Sequence, residues 1–163
     1  MPSHTAFLSL GSNLGDRAAN IERALARLDA AGVRIIRRSS LYKTEPVEFT
    51  AQGWFLNLAV EVETALMPRQ LLHAIRRVEQ EMGRRRIVRA GPRVLDIDIL
   101  LYGTSIVRTA ELEIPHPRMA ERRFVLVPMA ELAPGLRHPV LKLTMLELLA
   151  ATQDRSQVGR WQG

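Results

Sequence analysis

Asp96 and Asp98 stand one residue apart in the run Gly91-Pro92-Arg93-Val94-Leu95-Asp96-Ile97-Asp98-Ile99-Leu100. The aliphatic residues around them predict a strand over Val94–Leu101. In a strand, residues i and i+2 share a face, so both carboxylates point one way while Leu95, Ile97 and Ile99 point the other. Two carboxylates side by side repel each other, and the arrangement becomes favourable when hard cations sit between them. Magnesium is such a cation, taking oxygen ligands that it shares with substrate phosphates. An exposed strand face, or ion pairs to nearby arginines, would also accommodate the pair. Glycosyltransferases use a similar D-x-D, so the motif alone names no reaction.

Its neighbours narrow the chemistry. Arg84, Arg85, Arg86, Arg89 and Arg93 crowd into the stretch just before the aspartates, and Arg118, Arg122 and Arg123 form a second group. Arginine presents a planar fork suited to bidentate phosphate contacts. Carboxylates for a metal beside guanidiniums for phosphate are the parts of a nucleotide phosphoryl-transfer site, where catalysis is positioning plus charge neutralisation. A surface that only binds nucleic acid has no use for the two acids unless it cleaves. Gly11-Ser12-Asn13-Leu14-Gly15-Asp16 lacks the Gly-Lys-Ser/Thr ending of a P-loop, so phosphates must be held otherwise.

The elements that position these residues follow from periodicity. Thr5–Leu10 reads as a short buried strand. Asp16 is placed to cap a helix that runs to about Ala31 and stops at Gly32. Val33–Tyr42 reads as a second strand and Lys43–Gly53 as a loop. Leu56, Leu58, Val60 and Val62 alternate with Phe55, Asn57, Ala59, Glu61 and Glu63, a third strand with one apolar face. Pro68 opens a second helix, with Leu71, Leu72, Ile75, Val78 and Met82 at helical spacing, ended by Gly83. With Val94–Leu101 the order becomes strand, helix, strand, strand, helix, strand. That is the split unit of an α+β, ferredoxin-like βαββαβ core with helices packed on an antiparallel sheet. Beyond Gly103 only a helix near Thr144–Thr152 is predicted.

The chain has 163 residues, 47% hydrophobic and 25% charged, with formal net charge +6 and no cysteine. This fits one domain spanning 1–163 and excludes disulfides and cysteine-bound zinc. No run approaches the ~20 apolar residues of a membrane span, and the apolar run 6–10 is too short for a signal-peptide core. The expected setting is cytoplasmic and the expected state a monomer. The positive balance points to a polyanionic partner.

Several pieces in order carry a resemblance: Leu10-Gly11-Ser12-Asn13-Leu14-Gly15-Asp16, Tyr42-Lys43-Thr44-Glu45-Pro46, Phe55-Leu56-Asn57, Gly91-Pro92-Arg93-Val94-Leu95-Asp96-Ile97-Asp98, Ile114-Pro115-His116-Pro117-Arg118 and Arg122-Arg123-Phe124-Val125-Leu126. Over residues 5 to 135 the chain resembles the 6-hydroxymethyl-7,8-dihydropterin pyrophosphokinases. The resemblance implies transfer of pyrophosphate from ATP, the co-substrate, to the pterin, giving AMP and a pterin diphosphate in folate biosynthesis. It implies that Asp96 and Asp98 hold two magnesium ions, and that Arg84 and Arg93 act with them in catalysis. ATP contacts fall on Glu79, Arg84, Arg86, Arg93, Ile99, His116 and Arg122. Pterin contacts fall on Thr44, Glu45, Val47, Phe55, Asn57 and Phe124, the two phenylalanines flanking the ring and Asn57 meeting its amide edge. Loops 43–53 and 84–93 are expected to close over the substrates.

The match has departures. Ala90 stands where many members have tryptophan, the arginine loop is shorter by about one residue, Glu111 replaces an arginine of some members, and Pro117 an aromatic. Two other readings remain: a basic ferredoxin-like module that binds RNA, and a magnesium-dependent nuclease or glycosyltransferase built on the same D-x-D. The first lacks the RNP1 pattern, in a chain only 5% aromatic.

Overall fold

The structure, a computed structural model, describes residues 2–46, 53–83 and 94–163. Val47, Arg84, Arg86 and Arg93 lie outside the described residues, as do the other loop arginines and Ala90.

In chain order the principal elements are β1 (His4–Ser12), α1 (Arg17–Ala30), β2 (Val33–Arg38), β3 (Tyr42–Thr44), β4 (Phe55–Thr64), α2 (Pro68–Glu81) and β5 (Asp96–Tyr102). A small hairpin of β6 (Val107–Arg108) and β7 (Glu113–Ile114) follows. Then come α3 (Arg123–Leu132), α4 (Met145–Ala151) and β8 (Val158–Arg160). The main sheet is antiparallel in the order β5-β1-β4-β3-β8, with β2 also on β4, beyond the end of β3. β1 and β2 thus run the same way with β4 between them, which is the expected split unit.

Local signals behave as their chemistry dictates. The Asp16 carboxylate accepts the Ala19 N–H at 3.1 Å and caps α1, and Gly32 takes φ +89° just past the helix end. The alternating residues of β4 put Leu56, Leu58, Val60 and Val62 into a core with Leu8 and Leu10 of β1, Ile97 and Ile99 of β5, and the apolar stripes of α1 and α2. At roughly 1.5–3 kcal/mol for each large side chain buried, this face supplies most of the driving force for folding.

The sheet's second face departs from expectation. α3 and α4 cover much of it, burying Phe7, Ala59, Leu100 and Leu101 against Val125, Leu126, Met129, Met145 and Leu148. α3 was not visible in the sequence because Pro128 stands inside it, and an interior proline costs a helix ~3 kcal/mol. Burial of the apolar run around it outweighs that cost. The predicted strand 33–42 is in fact two, broken at Ser39 and Ser40. The Ser39 hydroxyl accepts the Ala59 N–H at 3.0 Å, and Ser40 turns its N–H and hydroxyl to Glu131. Side chains that bond backbone in this way compete with a continuing ladder. Lys43, expected in a loop, lies inside β3.

Candidate active site

β5 is an edge strand, and its register against β1 and β4 decides what can meet. Asp96 lies opposite Gly11, Gly11 opposite Asn57, and Asn57 opposite Tyr42; one step along, Asp98 lies opposite Ser9 and Ser9 opposite Ala59. Directly opposed residues share a face. Asp96, Asp98 and Asn57 therefore rise from the same face, the one that α3 only partly covers. Strands lie about 4.8 Å apart, so the Asp96 and Asn57 backbones stand about 10 Å apart across Gly11.

At the Asn57 end the geometry is tight. Asn57 is 4% exposed. Its amide nitrogen donates to the hydroxyl of Thr44, itself buried. Gly11 makes this possible, because a Cβ there would collide with the Asn57 carbonyl oxygen and come within 3.4 Å of the Phe55 ring. The Asn57 side chain thus lies over the backbone of β1, held by Thr44 and flanked by Phe55. Phe124 sits in the first turn of α3, with the Arg122 guanidinium 5.6 Å from its ring centroid.

At the other end, Asp96, Asp98, Ile99, Glu79 and His116 line a single cleft of about 320 Å³ between α2, the edge of β5 and the β6–β7 hairpin. Three separate stretches of chain, carrying residues named above for the metal and the nucleotide, converge there. Glu79 is buried, and its carboxylate accepts the Ile97 N–H at 2.8 Å. His116 is tied to the β5 edge through its own N–H, which donates to the Leu100 carbonyl at 2.9 Å. Its Nδ1 accepts the Arg118 N–H at 3.1 Å, so in the neutral ring the proton sits on Nε2, 4.0 Å from Asp98 Oδ1. Burial, with Arg122 and Arg118 nearby, pushes the His116 pKa down to about 4 against the opposing pull of Asp96. The ring is neutral at physiological pH and offers an N–H to the cleft.

The remaining expected residues are distributed differently. Glu45 and Arg122 line a separate cavity of about 700 Å³ with Arg118, the stretch 151–154 and Ser156. The Glu45 N–H donates to the Gln157 carbonyl at 3.2 Å. Sequence reasoning missed Arg76, which lines the carboxylate cleft one turn before Glu79, a spacing that places the two on one helix face. It also missed what Glu111 does. The Glu111 carboxylate meets His73 at 2.9 Å, Arg76 at 3.2 Å and Arg69 at 3.7 Å, fastening the hairpin side of the cleft to α2. Gly11, just past the predicted end of the first strand, lies inside β1, where its task is close approach.

Among the described residues no three or more His, Cys, Asp or Glu side chains converge as a cage. A pair of carboxylates at the mouth of a cleft suits magnesium, which takes one or two carboxylates and completes its shell with phosphates and water. The donor set fits that ion.

A ferredoxin-like α+β sheet with a carboxylate pair, a neutral histidine and guanidiniums around an edge cleft defines a protein of the phosphoryl-transfer class. The chain belongs to the 7,8-dihydro-6-hydroxymethylpterin-pyrophosphokinase family, whose model matches residues 7–134. It is similar to the 2-amino-4-hydroxy-6-hydroxymethyldihydropteridine pyrophosphokinase of Bacillus subtilis, at 47% identity over 80% of this chain and 78% of that protein. It is similar to the protein of the same name from Methylorubrum extorquens, at 48% identity over 80% of this chain and 84% of that one. Among solved structures, Plasmodium falciparum HPPK-DHPS with pteroate shares the fold, with TM-score 0.74 at 19% identity. That alignment covers 91% of this chain and 42% of the other, so this chain spans under half of the longer protein.

Proposed function

We infer that this chain transfers the pyrophosphoryl group of ATP to 6-hydroxymethyl-7,8-dihydropterin, releasing AMP and forming the pterin diphosphate used in folate synthesis. Family membership supports the reaction. The observation that carries the site reading is the Asp96–Gly11–Asn57 row. It sets a carboxylate pair about 10 Å, two strand spacings, from a buried amide with an aromatic beside it. That gap matches a flat bicyclic heterocycle set against the Asn57 amide with its one-carbon arm reaching toward the aspartates.

Asp96 and Asp98 would hold the magnesium ions, two in number on this reading. When bound, those ions neutralise charge on the phosphates and on the oxygens that enter and leave. We assign phosphate oxygens to the His116 Nε2–H and, from the wall of the neighbouring cavity, to Arg122, while Glu79 braces the strand beneath the aspartates. Arg84, Arg86 and Arg93 are assigned to the phosphates as well. Asn57 reads the amide edge of the pterin with the groups not already given to Thr44, Phe55 and Phe124 flank the ring, and Val47 and Glu45 complete the acceptor side. The pterin hydroxymethyl oxygen attacks the β-phosphorus. The bond from that phosphorus to the α–β bridging oxygen breaks, AMP leaves, and the hydroxyl proton passes to water. An ordinary kinase activates the γ-phosphorus and releases ADP. We assign the reaction to one domain over 1–163, working as a cytoplasmic monomer without nucleic acid. No described helix is long and apolar enough to cross a membrane.

The RNA-binding alternative is not favoured. Such modules stack bases on an open sheet face, whereas here α1 and α2 cover one face and α3 and α4 much of the other. The deciding experiment is phosphorus NMR of a quenched reaction of ATP, magnesium and the reduced pterin. AMP and pterin diphosphate in equal amounts are expected; ADP with a pterin monophosphate would refute the pyrophosphokinase reading.

A further inference from the structure

Residues after 134 lie beyond the stretch that the family model matches, yet they are built into the acceptor end of the site. β8 lies along β3 with Tyr42 opposite Arg160, Lys43 opposite Gly159 and Thr44 opposite Val158. The pairing continues past the strand as a two-way bond. The Glu45 N–H donates to the Gln157 carbonyl at 3.2 Å, and the Gln157 N–H donates to the Glu45 carboxylate at 2.6 Å. A carboxylate that accepts a backbone N–H at such a distance makes a charge-assisted bond, roughly twice as strong as a neutral one.

Asp154 makes a second tie. Its Oδ1 accepts the Ser156 N–H at 2.9 Å and the Ser156 hydroxyl, while its Oδ2 accepts the Arg123 N–H at 2.8 Å. Arg123 is the first residue of α3, and the side chain of Arg122, at that helix's own cap position, does not cap the helix. Asp154 does the capping from the far end of the chain, and Phe124 is the next residue of the helix. Burial would raise the Asp154 pKa, but the bonds from Ser156 and Arg123 outweigh it and hold the carboxyl below its ordinary value. The same tail lines the 700 Å³ cavity together with Glu45 and Arg122.

We propose that the segment 152–160 is a positioning element of the acceptor site. Asp154 and the Glu45–Gln157 pair hold the two flanks of the pterin, the Thr44–Pro46 segment and the start of α3, at a set distance from Asn57. The proposal rests on the reading that Thr44, Phe55, Asn57 and Phe124 bind the pterin. Among the described residues none of these ties touches the cleft that carries Asp96 and Asp98, so losing them affects acceptor binding far more than the chemical step.

Asp154→Ala removes the cap, Asp154→Asn keeps one acceptor oxygen, and Gln157→Pro deletes the N–H given to Glu45 while fixing φ at that position. Binding of 6-hydroxymethyl-7,8-dihydropterin is measured by titration calorimetry with a non-hydrolysable ATP analogue and magnesium present. Binding of the analogue is measured alone, and kcat at saturating pterin. Asp154→Ala and Gln157→Pro are expected to weaken the pterin by on the order of fivefold to tenfold, the scale of one lost cap. Asp154→Asn should fall between them and wild type, and analogue affinity and kcat should stay within about twofold. If Asp154→Ala does not fold, Gln157→Pro decides. Equal losses for pterin and analogue that follow a fall in Tm would overturn the proposal, and so would unchanged pterin affinity. Asn57→Ala runs alongside. If it weakens the pterin while the tail variants do not, only the tail proposal fails. If it leaves the pterin untouched, the site reading fails and the proposal with it.

Discussion

Gly11→Ala tests the acceptor site through a single methyl group. The new Cβ would overlap the Asn57 carbonyl oxygen and press to 3.4 Å on the Asn57 Cγ and the Phe55 ring. Asn57 has little room to move, being 4% exposed and bonded to the Thr44 hydroxyl. Turning it aside breaks that bond, worth about 0.5–1.5 kcal/mol net. The lost chain freedom of alanine against glycine returns about 0.4–1 kcal/mol. Stability should therefore change little, with Tm within a few degrees of wild type. The pterin, however, loses a buried amide set to receive it, a penalty of about 1–3 kcal/mol. That is about 5-fold to 150-fold in affinity. Titration calorimetry with the pterin and a non-hydrolysable ATP analogue reads the change directly. The same substitution made on an Asn57→Ala background should cost almost nothing further, because the clash has no partner left. Pterin affinity within about twofold of wild type in the single variant would refute the argument, since the methyl group would then have been absorbed elsewhere.

Asp96→Asn and Asp98→Asn should each keep the fold and lower the rate by on the order of 10³-fold or more, because they delete metal charge without changing shape; near-normal turnover at saturating magnesium would remove the metal assignment. Chelation of magnesium should abolish turnover and leave the far-UV circular dichroism unchanged. Arg84→Ala should reduce kcat far more than it weakens ATP, as for a group that meets charge developing in the transition state; equal losses would mean ground-state binding alone. The depressed His116 pKa, about 4, has a signed consequence. The unfolded chain binds a proton there below about pH 6.5, which the folded chain resists. The stabilising contribution is complete above that value and drains as pH falls toward 4, by at most about 3 kcal/mol. Calorimetric Tm from pH 7 to 4.5 should fall more steeply in wild type than in His116→Gln; parallel curves would contradict the neutral, half-buried ring.

Much of this molecule can be read in one dimension. The alternation of Leu56, Leu58, Val60 and Val62, the Asp16 cap, Gly32 and Pro68 are local rules, and local rules suffice where each residue's preference agrees with the fold around it. Asp96 and Asp98 were legible for the same reason: a period of two places them on one face whatever the tertiary structure. Register is a different matter. That Asp96 comes level with Gly11 and Gly11 with Asn57 depends on which strands pair and at what offset. Only that choice makes one surface of an acid pair and a buried amide. The same holds for α3, which its proline disfavours locally and which forms because its apolar side has a sheet to cover. It holds for β8, three residues that are a strand only because β3 offers an open edge. Arg69, His73 and Arg76 found Glu111 across a hairpin that nothing in their own helix announces. Side-chain periodicity is a property of the chain, whereas capping at a distance, close approach over a glycine and strand register belong to pairs of segments, and the energy that selects them appears only when both are in place.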